Sequence, residues 1–304
     1  MPDYLQLVKD KEEEQADLEA RMQNDANILY LQKYVMKDSK GVAVPDIINV
    51  TLNRPAIFAA NVISALGMAN QQAVVESQDK GLNTHRIEEF QELAFASADL
   101  RLRKRGEMLL NPHADIQLCI RGRTARRVLF RLANGVLIPD IVSWDGRYVR
   151  FDMDEMGLAW AAYKTYRNKA DIQAEYGVTV EGKEGAVLDV WDKEHNEIWV
   201  EERKVKEQEH WYGEVPVVVQ KVSLGYGAAL LDGLGAGGYG GSVQVPTRVA
   251  REGESIFFLI RGIAPELNRL ASILQTLNLK AVKGPMQQKR KGGGEPSEYE
   301  DATG

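Results

Sequence analysis

The sequence predicts an α+β fold. Two groups of segments with helical apolar spacing, near the start and at residues 253–283, flank a middle third of short β-branched runs cut by Gly, Asn and Pro. One seam of seven large aliphatics, at alternating steps of four and three, marks the C-terminal segment as a helix built to pack on other helices.

The first segment, residues 3–38, reads as helix, with Glu12, Glu13, Glu14, Asp17 and Glu19 as a solvated face and Leu18, Met22, Leu29 and Tyr30 on the apolar one. Asp38-Ser39-Lys40-Gly41 breaks it. Asn53-Arg54-Pro55 begins a helix, because Pro fits a first turn whose amides have no partner anyway. A further helix starts near Asn83-Thr84, carries Ile87, Phe90, Leu93 and Leu100, and ends in Arg101-Leu102-Arg103-Lys104-Arg105-Gly106. Cations in a last turn face the partial negative charge of the helix end, and Gly closes it.

From residue 116 the pattern changes. Residues 116–120, 128–132 and 136–142 read as strands, and 153–176 returns to helix, with Leu158, Ala159, Ala162, Tyr166 and Ile172 roughly on one face. Residues 186–191 and 197–203 flank Asp192-Lys193-Glu194-His195-Asn196 as a hairpin, and 215–219 is another strand. Residues 224–241 are glycine-dense and read as a loop. The seam comprises Ile256, Ile260, Ile263, Leu267, Leu270, Leu274 and Leu277. As one helix, residues 253–283 would span roughly 45 Å, with Pro265 kinking it or restarting it after Ala264. The tail, 287–304, is polar and reads as disordered. These segments divide the chain into an N-terminal helical arm (1–40), an α+β domain (41–250), a long helix (251–283) and a polar tail (284–304).

The chain of 304 residues carries a net charge of −6 and a pI near 5.5, which excludes polyanion binding by bulk charge. The charge is unevenly spread. Residues 101–150 hold eleven Arg and Lys against four Asp and Glu, a local +7, so the remainder carries −13. Arg121, Arg123, Arg126 and Arg127 could touch phosphates, or pair with acidic neighbours across a subunit or domain interface; the acidic remainder favours pairing.

Chemical motifs point away from catalysis. Gly233-x-Gly235-x-x-Gly238 matches the dinucleotide fingerprint in letters, yet strand-like residues 242–245 follow where a helix N-terminus is needed, so it reads as loop. No HExxH, CxxC, phosphate loop or Gly-x-Ser-x-Gly elbow occurs, and His85, His113, His195 and His210 are widely separated. Asp152-x-Asp154-Glu155 could bind a hard cation or serve a helix first turn; the second reading is favoured. Cys119, between Leu118 and Ile120, reads as a buried, inert thiol. No run of apolar residues is long enough for a membrane helix, and residues 1–19 lack an apolar signal core. No catalytic residue, metal or cofactor is expected.

Four stretches together resemble tailed-phage portal proteins, the ring through which genome enters and leaves the capsid. Ile87-Glu88-Glu89-Phe90 through Arg101-Leu102-Arg103-Lys104-Arg105-Gly106 is similar to a wing helix. Gly135-Val136-Leu137-Ile138-Pro139-Asp140 through Trp144-Asp145-Gly146-Arg147-Tyr148-Val149 resembles the portal strand pair, followed by a helix at 156–176 containing Trp160. Trp211-Tyr212-Gly213-Glu214-Val215-Pro216-Val217-Val218 resembles the junction after the small domain, and Gly253-Glu254-Ser255-Ile256-Phe257 through Leu267-Asn268-Arg269-Leu270-Ala271-Ser272 the approach to the stem helix. The resemblance implies a portal-like α+β wing and a stem helix, with residues 284–304 a flexible tail or the start of a clip, the N-terminal part of a longer design. It also implies a ring of identical subunits, commonly a dodecamer, around a channel for double-stranded DNA. The implied partners are the terminase large subunit, head–tail connector or adaptor proteins, and a scaffold or major capsid protein. The implied location is the virion, after synthesis in the host cytoplasm. Arg261, Arg269, Gln275 and Lys280, off the seam, are the expected channel-facing residues. The competing readings are a nucleic-acid-binding or processing protein using residues 101–150, and another kind of head–tail adaptor.

Overall fold

The structure is a computed structural model that describes residues 3–69, 74–79, 81–222 and 252–283. The glycine-rich segment with its fingerprint and the polar tail lie outside the described residues. The fold is α+β. Helices α1 (Tyr4–Glu14), α2 (Ala16–Leu29), α3 (Arg54–Met68), α4 (Thr84–Lys104) and α5 (Leu110–Arg121) precede strands β1 (Arg123–Ala133), β2 (Val136–Trp144), β3 (Val149–Asp154) and β4 (Gly157–Asn168). Helix α6 (Lys169–Tyr176), strands β5 (Glu184–Trp191), β6 (His195–Val200), β7 (Arg203–Glu209) and β8 (Val217–Lys221), and helix α7 (Ile263–Lys283) follow. The chain forms two compact units: one of residues 1–32 and 53–263, the other of residues 33–52 and 264–304.

The larger unit is built on two antiparallel sheets, ordered β2-β1-β8 and β3-β4-β5-β6-β7. Their facing sides share a core of Ala125, Leu129, Trp144, Val149, Phe151, Ala161, Trp191 and Val217. Trp144 of β2 stacks on Tyr163 of β4, ring centroids 5.0 Å apart. Each buried aliphatic or aromatic side chain of such a core contributes about 1.5–3 kcal/mol. Alternate residues of β4 and β5 (Trp160, Ala162, Leu188, Val190) turn to the other side, where Tyr4 and Val8 of α1 cover them. Helix α4 contributes Ala98 and Leu102 to a cluster with Leu110 and Ile141.

Several elements form where the local signals put them. Asn53 precedes α3, with Pro55 in its first turn. The Asn83 side chain accepts the Arg86 amide at the start of α4, and Gly106, at φ 72°, follows its end. Asn134 and Gly135, at φ 54° and 75°, make the tight β1–β2 turn.

Four expectations are corrected. The helix expected over 3–38 is two helices ending at Leu29, with Leu31 at φ 52° breaking the run. Residues 116–120 belong to α5: their apolar side chains pack against α2 and α3, a helical requirement that a short apolar run does not reveal. The helix expected over 153–176 is strand β4 followed by α6. Leu158, Ala161 and Tyr163 serve the inter-sheet core while Trp160 and Ala162 serve the opposite face, so β4 is apolar on both sides and hides its period of two. Finally, the C-terminal helix begins at Ile263, ten residues after Gly253. Pro265 sits in its first turn, where a missing amide costs nothing. Ile256 and Ile260 precede the helix, in a run of turns.

Candidate assembly surface

The smaller unit is a helix backed by an extended strap. Residues 33–52 double back through a bridge between Lys37 and Ala43, closed by Asp38 N–H to Val42 O at 2.8 Å and Val44 N–H to Met36 O at 2.9 Å. Within the strap, Tyr34 N–H donates to Thr51 Oγ1 and Met36 N–H to Asn49 Oδ1. The returning arm lies antiparallel to α7. The amides of Ile48, Val50 and Leu52 donate to Thr276 Oγ1, Ser272 Oγ and Asn268 Oδ1, at 3.0, 2.9 and 2.9 Å. The match is metric: two residues of extended chain advance about 6.6 Å and four residues of helix about 6 Å. Ser272 and Thr276 also donate to the carbonyls of Asn268 and Ser272 within the helix, both at 2.7 Å. Both hydroxyls are therefore satisfied although Ser272 is fully buried.

At about 100° per residue, the row 268, 272, 276 lies opposite the row of Ile263, Leu267, Leu270, Leu274 and Leu277. These five side chains are 48–61% exposed. The polar face of α7 is thus occupied by the strap, and among the described residues the apolar face stays about half exposed.

The remaining candidate residues separate. Ile256 packs against the cluster of Ala26, Cys119 and Ile120 in the larger unit, so it does not continue the stripe. Arg261 precedes α7 instead of sharing its face. Arg269 pairs with Glu266 at 2.7 Å on one flank, with Lys280 near it in angle, whereas Gln275 falls on the other flank. The four residues expected to face a channel therefore do not share one face, because the helical rotation divides them.

Arg261 belongs to a buried ionic cluster in the larger unit. Asp25, fully buried on α2, accepts Arg261 Nε at 2.7 Å, Arg261 Nη2 at 2.8 Å and Ser255 Oγ at 2.7 Å. Glu254 accepts Arg21 Nη1 at 3.0 Å and also pairs with Arg261. Burial alone would lower Arg261, but its hydrogen bonds to Asp25 and Glu254 outweigh burial and hold its pKa above the ordinary value. The cluster pins the segment at 252–261 to α2.

The arginines expected to meet phosphates or another subunit are spent inside the chain. Arg121 donates to Met22 O at 2.7 Å and lies 3.6 Å from Asp145. Arg123, 1% exposed, donates to Gly146 O, Val149 O and Glu252, and burial pulls its pKa down to about 10. Arg126 donates to Leu110 O at 2.6 Å, and burial lowers its pKa too. Arg127 bridges Asp140 at 3.3 Å and Asp189 at 2.9 Å. The pairing expected across a subunit or domain interface is found within the larger unit, where Arg123, Arg127 and Arg150 meet Glu252, Asp189 and Glu19 from distant parts of the same chain.

Cys119 is buried, and burial pushes its thiol up to about 11, which leaves little thiolate to react. Among the described residues no group of His, Cys, Asp and Glu is arranged to hold a metal, and no helix is long and apolar enough to cross a membrane. The strap was missed at the sequence level; the polar row Asn268, Ser272, Thr276 at steps of four was the available signal. No family model matches the chain. No curated protein matches it.

Proposed function

We propose that the chain is a structural subunit of a viral portal ring at the capsid vertex, with α7 as its stem helix and no catalytic role. The observation that carries this reading is the half-exposed aliphatic stripe on a helix whose opposite face is already taken by its own strap. Five large aliphatics left about half in water forgo roughly half of the 1.5–3 kcal/mol that full burial of each would give, which favours burial against further helices. Apolar side chains exposed on other helices, Ile57 and Phe58 on α3 and Leu93 and Leu100 on α4, support an assembled state. In a closed ring, identical neighbours supply the missing faces.

On this reading double-stranded DNA passes through the ring without being gripped, which suits an acidic chain whose arginines largely serve its own fold. The terminase large subunit, head–tail connector or adaptor proteins, and scaffold or major capsid protein are the proposed partners, and the virion vertex the proposed location. Native mass spectrometry and negative-stain imaging of the full-length protein test the reading. A closed ring supports it; a monomer at all accessible concentrations contradicts it.

A further inference from the structure

The C-terminal end of α4 and the β1–β2 hairpin enclose a groove of about 490 Å³ in the larger unit. Its floor is apolar: Ala98 and Leu102 from α4, Ile138 and Ile141 from β2. Its rim is cationic: Arg101, Lys104 and Arg105 from the last turns of α4, and Arg131 from β1. Asp140 is the one carboxylate among the lining residues, and Arg127 and Arg131 already hold it. Arg105 pairs with Glu107 at 3.0 Å on the surface. Arg101 and Lys104 make no ion pair among the described residues.

Cations at a helix end are stabilising wherever they sit around the last turn. Most of the lining also serves the fold: Ala98, Leu102 and Ile141 belong to the buried cluster between α4 and β2, and Arg131 holds Asp140. What the trough leaves accessible is Ile138 and Ala133 beside Arg101 and Lys104, unpaired among the described residues. Leu100, Leu132 and Leu137 stand exposed at 52%, 75% and 49%.

We propose that this groove docks an acidic, aliphatic-bearing segment of a partner protein. The partner's carboxylates would meet Arg101 and Lys104, and its aliphatic side chains would fill the floor between them. A nucleic acid fits the groove less well. A phosphate strand gains nothing from an aliphatic floor, and no aromatic ring lines the groove for a base to stack on. The argument uses only the charge and shape of the larger unit and is independent of the ring.

Short random peptides displayed on a library and selected against the full-length protein, and in parallel against Arg101→Glu/Lys104→Glu, test the proposal. Circular dichroism and thermal melting check that the variant is folded; if it is not, Arg101→Gln/Lys104→Gln replaces it. Enriched peptides are expected to combine Asp or Glu with Leu, Ile or Phe, and to bind the variant at least roughly tenfold more weakly. No enrichment, enrichment of neutral or basic peptides, or equal binding to the variant overturns the proposal. Duplex DNA titrated at roughly 50 and 200 mM salt is the second arm. Salt-sensitive binding lost in the same variant assigns the groove to nucleic acid and also overturns it. Native mass spectrometry of the variant separates the groove from the ring: oligomeric size is expected to be unchanged, and a change assigns the groove to the subunit interface, against the proposal.

Discussion

Gly122 has no room for a methyl group. It ends α5 at φ 73°, and a Cβ there would lie 2.4 Å from the Glu254 backbone nitrogen. The chain returns directly over it: Val222 N–H donates to Gly122 O at 2.7 Å and Ile256 N–H to Cys119 O at 3.0 Å. Gly122→Ala therefore combines left-handed strain with overpacking and is expected to cost about 2–4 kcal/mol in thermal unfolding. Gly106 has a similar φ of 72° but open space around it, so Gly106→Ala is expected to cost no more than about 1 kcal/mol. Asp192 sets a pH dependence. Its burial would raise its pKa, but amides of Glu194 and His195 and the Tyr4 hydroxyl at 2.8 Å outweigh burial and hold it below the ordinary 3.8. A carboxylate depressed on folding stabilises the fold above pH 3.8 and loses that contribution as pH falls through its folded value. The Tyr4 contact that helps dock α1 is thus expected to weaken in acid below pH 3.8. Stability measured against pH for wild type and Asp192→Asn checks this: the wild-type excess disappears on acidification, and an excess that persists refutes it.

Among the elements, those with strong local punctuation were legible. Asn83 and Arg105-Gly106 bracket α4, Asn53-Arg54-Pro55 opens α3, and Asn134-Gly135 ties β1 to β2. Elements whose identity depends on distant partners were not. Strand β4 is apolar on both faces, so its spacing passes for a helix until β3 and β5 flank it. The apolar 116–120 run is helical because α2 and α3 receive it. The aliphatic stripe of α7 was legible through Leu277 but not its start, since Ile256 and Ile260 fall in step with the seam by spacing alone. The strap was signalled only on its partner, by the polar row Asn268, Ser272 and Thr276, because its own contributions are backbone amides, which every sequence has. Ser272→Val removes the acceptor of the Val50 amide in a fully buried position. It is expected to cost about 1–3 kcal/mol and to raise hydrogen exchange across residues 48–52, with α4 unaffected. Unchanged exchange in the strap contradicts its dependence on this row.

For the whole molecule, charge is segregated along the sequence and recombined in space. The cations of residues 101–150 are met by Glu19, Asp189 and Glu252 from outside that stretch as well as by Asp140 and Asp145 within it. Arg101 and Lys104, bordering the groove at the end of α4, lack ion pairs among the described residues and stay available to a partner. The fold also leaves apolar surface open, above all the stripe of α7. The proposed portal role rests on that stripe meeting other copies. Leu270 and Leu274 are 57% and 61% exposed, so a charge there leaves the subunit's own packing intact while opposing any helix laid on the stripe. The most direct measurement is the oligomeric mass of the full-length protein and of Leu270→Asp and Leu274→Asp by native mass spectrometry. A ring for the wild type and folded monomers for both variants is the predicted result. Variants that keep the wild-type oligomer, or a wild type that stays monomeric, would contradict it.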